Sequence, residues 1–451
     1  MKLTFVGGAG SVTGACYLLE SEKSRILIDC GLQQGASECE KENFKPFPFD
    51  SKTIEAVFIT HAHIDHIGRV PKLIKEGFVG TIYSTAPTKD AARDLLEDAQ
   101  HLMMHDLKQG QEPLYKEADI DKALDLWEGI AYHKIIEHKD LHIELYNSGH
   151  ILGSASVFVK DNKTSVVFSG DLGNVPAPLV KDTEYITNAN YALVESAYGG
   201  RVHESLEERS PILEDLIEDT VRTKGTLLIP AFAMERTQQL LFELNELVIH
   251  GRIPKIPIFI DSPLAIRLTE VFKKYENDPM FFDQEFINAV KKGARVFDFP
   301  GLRFTLTTEE SKEINNISPP KIIIAGSGMS TGGRILHHEI RYLPDPNSTI
   351  FFVGYQTKGS LGRRILEGAD EVKIMGEKVV VRARVKAIGG FSAHADQPLL
   401  VKWVEAMKKN VKKVFVVQGE EEESQALVTK IKDELAIDAR VPESGETVEL
   451  V

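Results

Sequence analysis

Cysteine is scarce in this chain of 451 residues, with only Cys16, Cys30 and Cys39. None of them has C-x-x-C spacing. A disulfide framework and a thiolate metal site are therefore not expected, and a reducing, cytoplasmic setting is. No run of about 18 apolar residues occurs, so no membrane-spanning helix is expected. Met1–Val6 is a short strand-like run that stops at Gly7-Gly8, without the apolar stretch of a secretory signal. Basic residues are in deficit: 53 Lys+Arg stand against 67 Asp+Glu, a net charge of −14. This argues against a protein that coats nucleic acid through spread positive charge. A local basic groove remains open, because residues 320–390 hold 11 Lys+Arg against 6 Asp+Glu. Repeats, low-complexity segments and Gly/Ser linkers are missing too. That absence favours one domain inserted into another over domains joined in tandem.

The apolar pattern has two grammars. Short runs at Lys2–Val6, Ala15–Glu20 and Arg25–Asp29 read as strands, with a tight turn at Ser21–Ser24. Thr53–Thr60 reads as a strand that delivers the chain into His61. Further strands are predicted at Leu141–Tyr146, Ala155–Lys160, Ser165–Ser169 and Tyr191–Glu195. So many consecutive strands suggest antiparallel sheets. From residue 204 helices alternate with strands, as at Leu206–Arg222, Thr226–Ile229, Glu235–His250 and Pro257–Ile260, which implies a parallel α/β sheet. After about residue 377 strands return, beginning with Val379–Val385. The expected division is therefore 1–203, 204–376 and 377–451, the outer two forming one domain.

The strongest local signal is Thr60-His61-Ala62-His63-Ile64-Asp65-His66-Ile67-Gly68. Three of the chain's 14 histidines fall within six residues, with an aspartate among them. By chance this composition gives H-x-H-x-D-H in about one such chain in a thousand. Neutral imidazoles and carboxylates suit zinc or manganese. On a turn after a strand, His61 and His63 can face one ion, and Asp65 and His66 a neighbouring one. His150 in Ser148-Gly149-His150 and Asp171 in Ser169-Gly170-Asp171 are candidate further ligands, each following a strand among glycines.

Together these residues resemble the metallo-β-lactamase fold. Asp29 matches its first motif, His61, His63, Asp65 and His66 its second, His150 its third and Asp171 its fourth, in the expected order. The resemblance narrows to the β-CASP group of nucleases, in the branch of the pre-mRNA cleavage factors. Glu195 in Leu193-Val194-Glu195-Ser196 and His394 in Phe391-Ser392-Ala393-His394-Ala395-Asp396 are similar to two of the group's motifs. Asp261-Ser262-Pro263, the run Ser327–Arg334, Gly354-Tyr355-Gln356 and Gly362-Arg363-Arg364 are similar to its inserted domain.

The resemblance implies an α/β fold: an αββα sandwich with an inserted parallel α/β β-CASP domain. It implies an RNA phosphodiesterase, with endonucleolytic cleavage of single-stranded RNA favoured and a hydroxide attacking phosphorus. A homodimer is compatible with it, and no membrane partner is implied. His61, His63, His150 and Asp171 would hold one Zn2+, and Asp65, His66 and a bridging Asp171 a second. His394 would serve the leaving oxygen, Glu195 would orient His394, and Asp29 would hold a ligand histidine or the water. Asp65 counts among both ligands and catalytic groups. Ser327, Ser330, Arg334 and Arg364 would meet a backbone phosphate, since a glycine-rich loop there opens a helix.

One position departs from the pattern. The group carries a histidine in a Val-His-Gly-Glu context near the C-terminus, and this chain has Val417-Gln418-Gly419-Glu420. An amide oxygen is a poor zinc ligand, so the second site loses its usual last ligand, and Mn2+ is an alternative there. Gly200, where relatives often carry aspartate, is a smaller departure. Two other readings share the motifs: a metallo-hydrolase of small esters or thioesters, and a weakly active scaffold subunit of an RNA-processing complex. Only Gln418 supports the scaffold.

Overall fold

The computed structural model describes every residue except 36, 108–109, 178, 204–208, 355, 358 and 389–391, and the side chains of 37–39, 105–106 and 209 are also outside it. Tyr355 and Phe391, named in the motifs above, thus lie outside the described residues. The chain forms two compact units, Met1–Val202 with His394–Val451, and His203–Ala393.

The first unit contains two seven-stranded sheets. One runs in the order Thr447–Glu449, Lys2–Gly7, Cys16–Glu20, Arg25–Ile28, Ala56–Phe58, Thr81–Thr85, Trp127–Ile130. The other runs Ala439–Arg440, Lys413–Val417, Tyr191–Glu195, Ser165–Phe168, Ala155–Lys160, Leu141–Asn147, Ile136–His138. Their inner faces meet through aromatic pairs, Phe5 with Phe415 at 5.2 Å between ring centroids and Tyr17 with Phe168 at 5.8 Å. The helix Ala86–Asp106 lies against the outer strands of the first sheet. Leu400, Trp403, Leu427 and Ile431, from helices Gln397–Glu405 and Glu421–Leu435, bury the outer face of the second.

The expectation of antiparallel sheets holds only in part, because both sheets are mixed. Lys2–Gly7, Cys16–Glu20 and Arg25–Ile28 pair antiparallel. From Arg25–Ile28 onward, Ala56–Phe58, Thr81–Thr85 and Trp127–Ile130 add in parallel. The intervening segments contain helices, and a parallel neighbour requires such a crossover.

The second unit has a six-stranded, all-parallel sheet in the order Leu302–Phe304, Ile258–Ile260, Lys321–Ala325, Thr226–Pro230, Thr349–Phe352, Arg384–Ala387. Its central strands are buried along their whole length and read as continuous apolar runs, as sheets covered on both faces do. The chain returns to the first unit at His394, later than the boundary expected at 377. The predicted strand Val379–Val385 is in fact two. Glu377–Val380 closes a hairpin whose Val372, Ile374 and Val379 join the core of the second unit. Arg384–Ala387 extends the parallel sheet beside Thr349–Phe352.

Candidate metal centre

The histidine motif begins where the strand Ala56–Phe58 ends. His63 precedes a one-turn helix, Ile64–Ile67, whose first N–H bonds return to its carbonyl. This turn packs against Gly31, where an added Cβ would lie 1.5 Å from the carbonyl oxygen of Asp65, so only glycine fits. His150 sits in a loop pinned by Ser154, whose hydroxyl accepts the N–H groups of His150 and Ile151 at 3.0 and 3.2 Å. Gly170, at φ 57°, turns the chain into Asp171.

Four donor atoms converge. His61 Nε2 and His63 Nδ1 are 3.0 Å apart, and His63 Nδ1 and His150 Nε2 are 3.2 Å apart. Asp171 Oδ2 lies 3.4 Å from His61 Nε2 and 3.5 Å from His150 Nε2. An ion bound tetrahedrally at about 2.0–2.1 Å requires donors about 3.3–3.4 Å apart, so this set fits one. Burial first, and then a neighbouring histidine, lowers the pKa of His61 and drives those of His63 and His150 well down. A lowered pKa favours the neutral ring that a metal ligand requires. Burial opposes the charge of Asp171, but His66 and His61 outweigh it and hold its pKa well below the usual range.

Behind these donors lies Asp29, fully buried at φ 57°. Its carboxylate accepts the Thr60 N–H and hydroxyl, each at 2.8 Å, and His66 Nδ1 at 2.7 Å. Thr60 Oγ1 also lies 3.1 Å from His61 Nδ1, where it can accept that N–H and leave Nε2 facing the cluster. Thr60 had no assigned role in the sequence reading; its place directly before His61 was the available signal.

Asp171 also joins a second cluster with Glu195 and His394. His394 Nδ1 is 3.2 Å from both oxygens of Glu195 and 3.8 Å from Asp171 Oδ2. Glu195 is itself held by the Leu172 N–H at 2.7 Å. Burial works against a proton on His394, but Glu195 and then Asp171 outweigh it and lift its pKa to about 9.

The remaining expected residues divide. Asp65 Oδ2 lies 3.9 Å from His66 Nε2, and His66 Nε2 lies 3.2 Å from Asp171 Oδ1. Asp65, His66 and Asp171 are not among the sets of three or more donors that converge within 4.8 Å among the described residues. In the second unit, Ser327 Oγ accepts the N–H groups of its own loop, Thr331 at 2.9 Å and Gly332 at 3.1 Å. Ser330 is buried and donates to Glu339. Arg334 bonds Asp261 Oδ1, Thr305 O and Leu306 O at 2.7, 2.9 and 2.8 Å. Arg364 alone of the four is exposed, on the helix Leu361–Leu366.

Comparison with known proteins gives three family matches. Residues 9–197 match the metallo-beta-lactamase superfamily, 237–365 the Beta-Casp domain, and 378–442 the Zn-dependent metallo-hydrolase RNA specificity domain. Ribonuclease TTHA0252 of Thermus thermophilus is 38% identical over 95% of both chains. The chain belongs to the β-CASP nucleases of the metallo-β-lactamase superfamily. Two further relatives show similar likeness. An RNase J-like protein of Methanocaldococcus jannaschii is 31% identical over 98% of both chains. Transcription termination factor FttA of Methanosarcina mazei is 30% identical over 100% of this chain and 72% of its own. A solved Enterococcus faecalis protein of unknown function shares the fold alone, with TM-score 0.59 and 10% identity over 100% of this chain and 99% of that one. The third matched segment starts at 378, inside the second compact unit, so the sequence and structural boundaries of this β-CASP protein differ. Among the described residues no helix is long and apolar enough to cross a membrane.

Proposed function

We propose that this β-CASP protein is a zinc-dependent ribonuclease that cleaves phosphodiester bonds within single-stranded RNA. The observation that carries this is the four-donor cluster at 3.0–3.5 Å with the His394–Glu195 pair beside it. The ribonuclease and RNase J-like relatives support RNA as the polymer. His61, His63, His150 and Asp171 would hold the ion, which when bound supplies Lewis acidity and an acidified water. His394, protonated at neutral pH, gives its proton to the departing oxygen, while Glu195 holds its Nδ1 and fixes the direction of the ring. Asp29 and Thr60 keep His61 in the tautomer whose Nε2 faces the cluster. Arg364, exposed on its helix, would meet backbone phosphate, whereas Ser327, Ser330 and Arg334 would shape their own loop.

The test is an end-labelled single-stranded RNA, its duplex and a small thioester, each incubated with zinc-loaded protein and with His63→Ala. Internal cuts in the single strand, lost with His63→Ala, are expected. Thioester turnover without RNA cleavage, or full RNA cleavage by His63→Ala, would reject the proposal.

A further inference from the structure

The half of the histidine motif that faces away from the four-donor cluster meets an amide. Gln418 follows the strand Lys413–Val417, is buried, and has φ 51°. Its N–H bonds Gly8 O at 2.7 Å. Its side-chain nitrogen lies 2.9 Å from His66 Nε2 and 3.0 Å from Asp171 Oδ1. Its carbonyl oxygen accepts from the Tyr17 hydroxyl at 3.3 Å. Gly8 leaves room for that hydroxyl, since a Cβ there would come within 2.6 Å of it.

The orientation of the amide follows from its partners. Ionised Asp171 only accepts, so the atom at 3.0 Å must be the N–H donor, and Tyr17 then donates to the carbonyl. His66 must accept at Nε2, which places its proton on Nδ1, where Asp29 takes it at 2.7 Å.

We infer that this protein works with one metal ion per chain, and that the Gln418 amide occupies the second-metal position. The atoms that would bind a second ion, His66 Nε2 and Asp171 Oδ1, both accept hydrogen bonds from Gln418. A second ion would have to displace the amide or turn its carbonyl toward the Asp171 carboxylate. Asp171 thus divides its work, Oδ2 toward the four-donor cluster and Oδ1 toward Gln418. Asp65, which has no place in the four-donor cluster, becomes a neighbour of His66 and not a ligand. Gln418 is on this view a positioning residue. The inference rests on the proposal that the four-donor cluster binds the ion.

The experiment counts metal. Full-length protein is stripped, reloaded with excess Zn2+ or Mn2+ and desalted, and metal per chain is measured together with the Mn2+ electron paramagnetic resonance spectrum. The wild type should retain one equivalent with an uncoupled spectrum. Gln418→His should retain two, with an exchange-coupled spectrum. Two equivalents in the wild type would overturn the inference. So would a folded Gln418→His that stays at one, because residue 418 would then not be the determinant. If Gln418→His does not fold, the wild-type count still decides. Failure of the loaded wild type to cut RNA would sink the ribonuclease proposal without touching the metal count, so the two failures are distinguishable.

Discussion

Replacing Glu339 by glutamine removes a buried ionisable group while keeping its shape. Glu339 lies on the helix Ile335–Tyr342, is fully buried, and accepts the hydroxyl of Ser330 at 2.5 Å. Its other oxygen has no partner among the described residues. Burial raises its pKa from 4.5 to about 8, against the smaller lowering effect of Ser330. A carboxyl raised in this way is protonated in the folded protein and ionised in the unfolded chain between those two values. The folded state then binds more protons, so stability falls as pH rises through that window and levels off above about 8. At about 1.4 kcal/mol per pKa unit the whole loss is roughly 5 kcal/mol. Glutamine is neutral throughout. Unfolding of the His203–Ala393 unit, followed by calorimetry, should give wild type and Glu339→Gln within about 1 kcal/mol of each other at pH 5. At pH 9 the variant should be more stable by roughly 3–5 kcal/mol. Comparing the two proteins at each pH cancels every other titrating group. An equal difference at both pH values would refute the assignment of Glu339 as a neutral buried acid.

Three further outcomes test other parts of the molecule. His394→Ala should slow single-turnover RNA cleavage by about 10²–10⁴ with metal content unchanged, the loss expected of a proton donor, and an unaltered rate would remove His394 from the chemistry. Gly31→Ala drives a methyl into the Asp65 carbonyl; it should cost about 3 kcal/mol or more in chemical unfolding and deplete bound metal, so a stable, fully loaded variant would contradict the packing described. Asp261→Ala strips the acceptor from Thr305, Ser311, Arg334 and His338, and should destabilise its unit by about 3–5 kcal/mol while the metal count holds; a cost below about 1 kcal/mol would show that these donors find other partners.

The metal half of the site was legible because its information is local. His61, His63 and the glycines beside His150 and Asp171 announce ligand loops within a few residues. What sequence could not show was which long-range partner captures a group. Arg334 reads as a phosphate contact beside glycines, yet Asp261, 73 residues away in sequence, takes its guanidinium. Tyr17 was missed because a tyrosine in a strand is an ordinary core residue, and its hydroxyl acquires meaning only when Gly8 and Gln418 are brought beside it. Gln418 was visible as a departure, but the direction of its amide depends on Asp171 and His66. After residue 377 the apolar alternation identifies strands, but not the sheet each one joins. Val379 and Val385 look alike in sequence and lie in strands of different sheets.

The insertion of the second unit between Val202 and His394 also orders events on the ribosome. Every donor of the four-membered cluster lies before residue 172, so the ion-binding loops leave the exit tunnel early. Glu195 follows soon after, but its partner His394 is made only when the whole insert has been translated, and so is Lys413–Val417, the strand that pairs with Tyr191–Glu195. On the proposed reading, a nascent chain completes its four donors long before it gains the group that would serve as its acid.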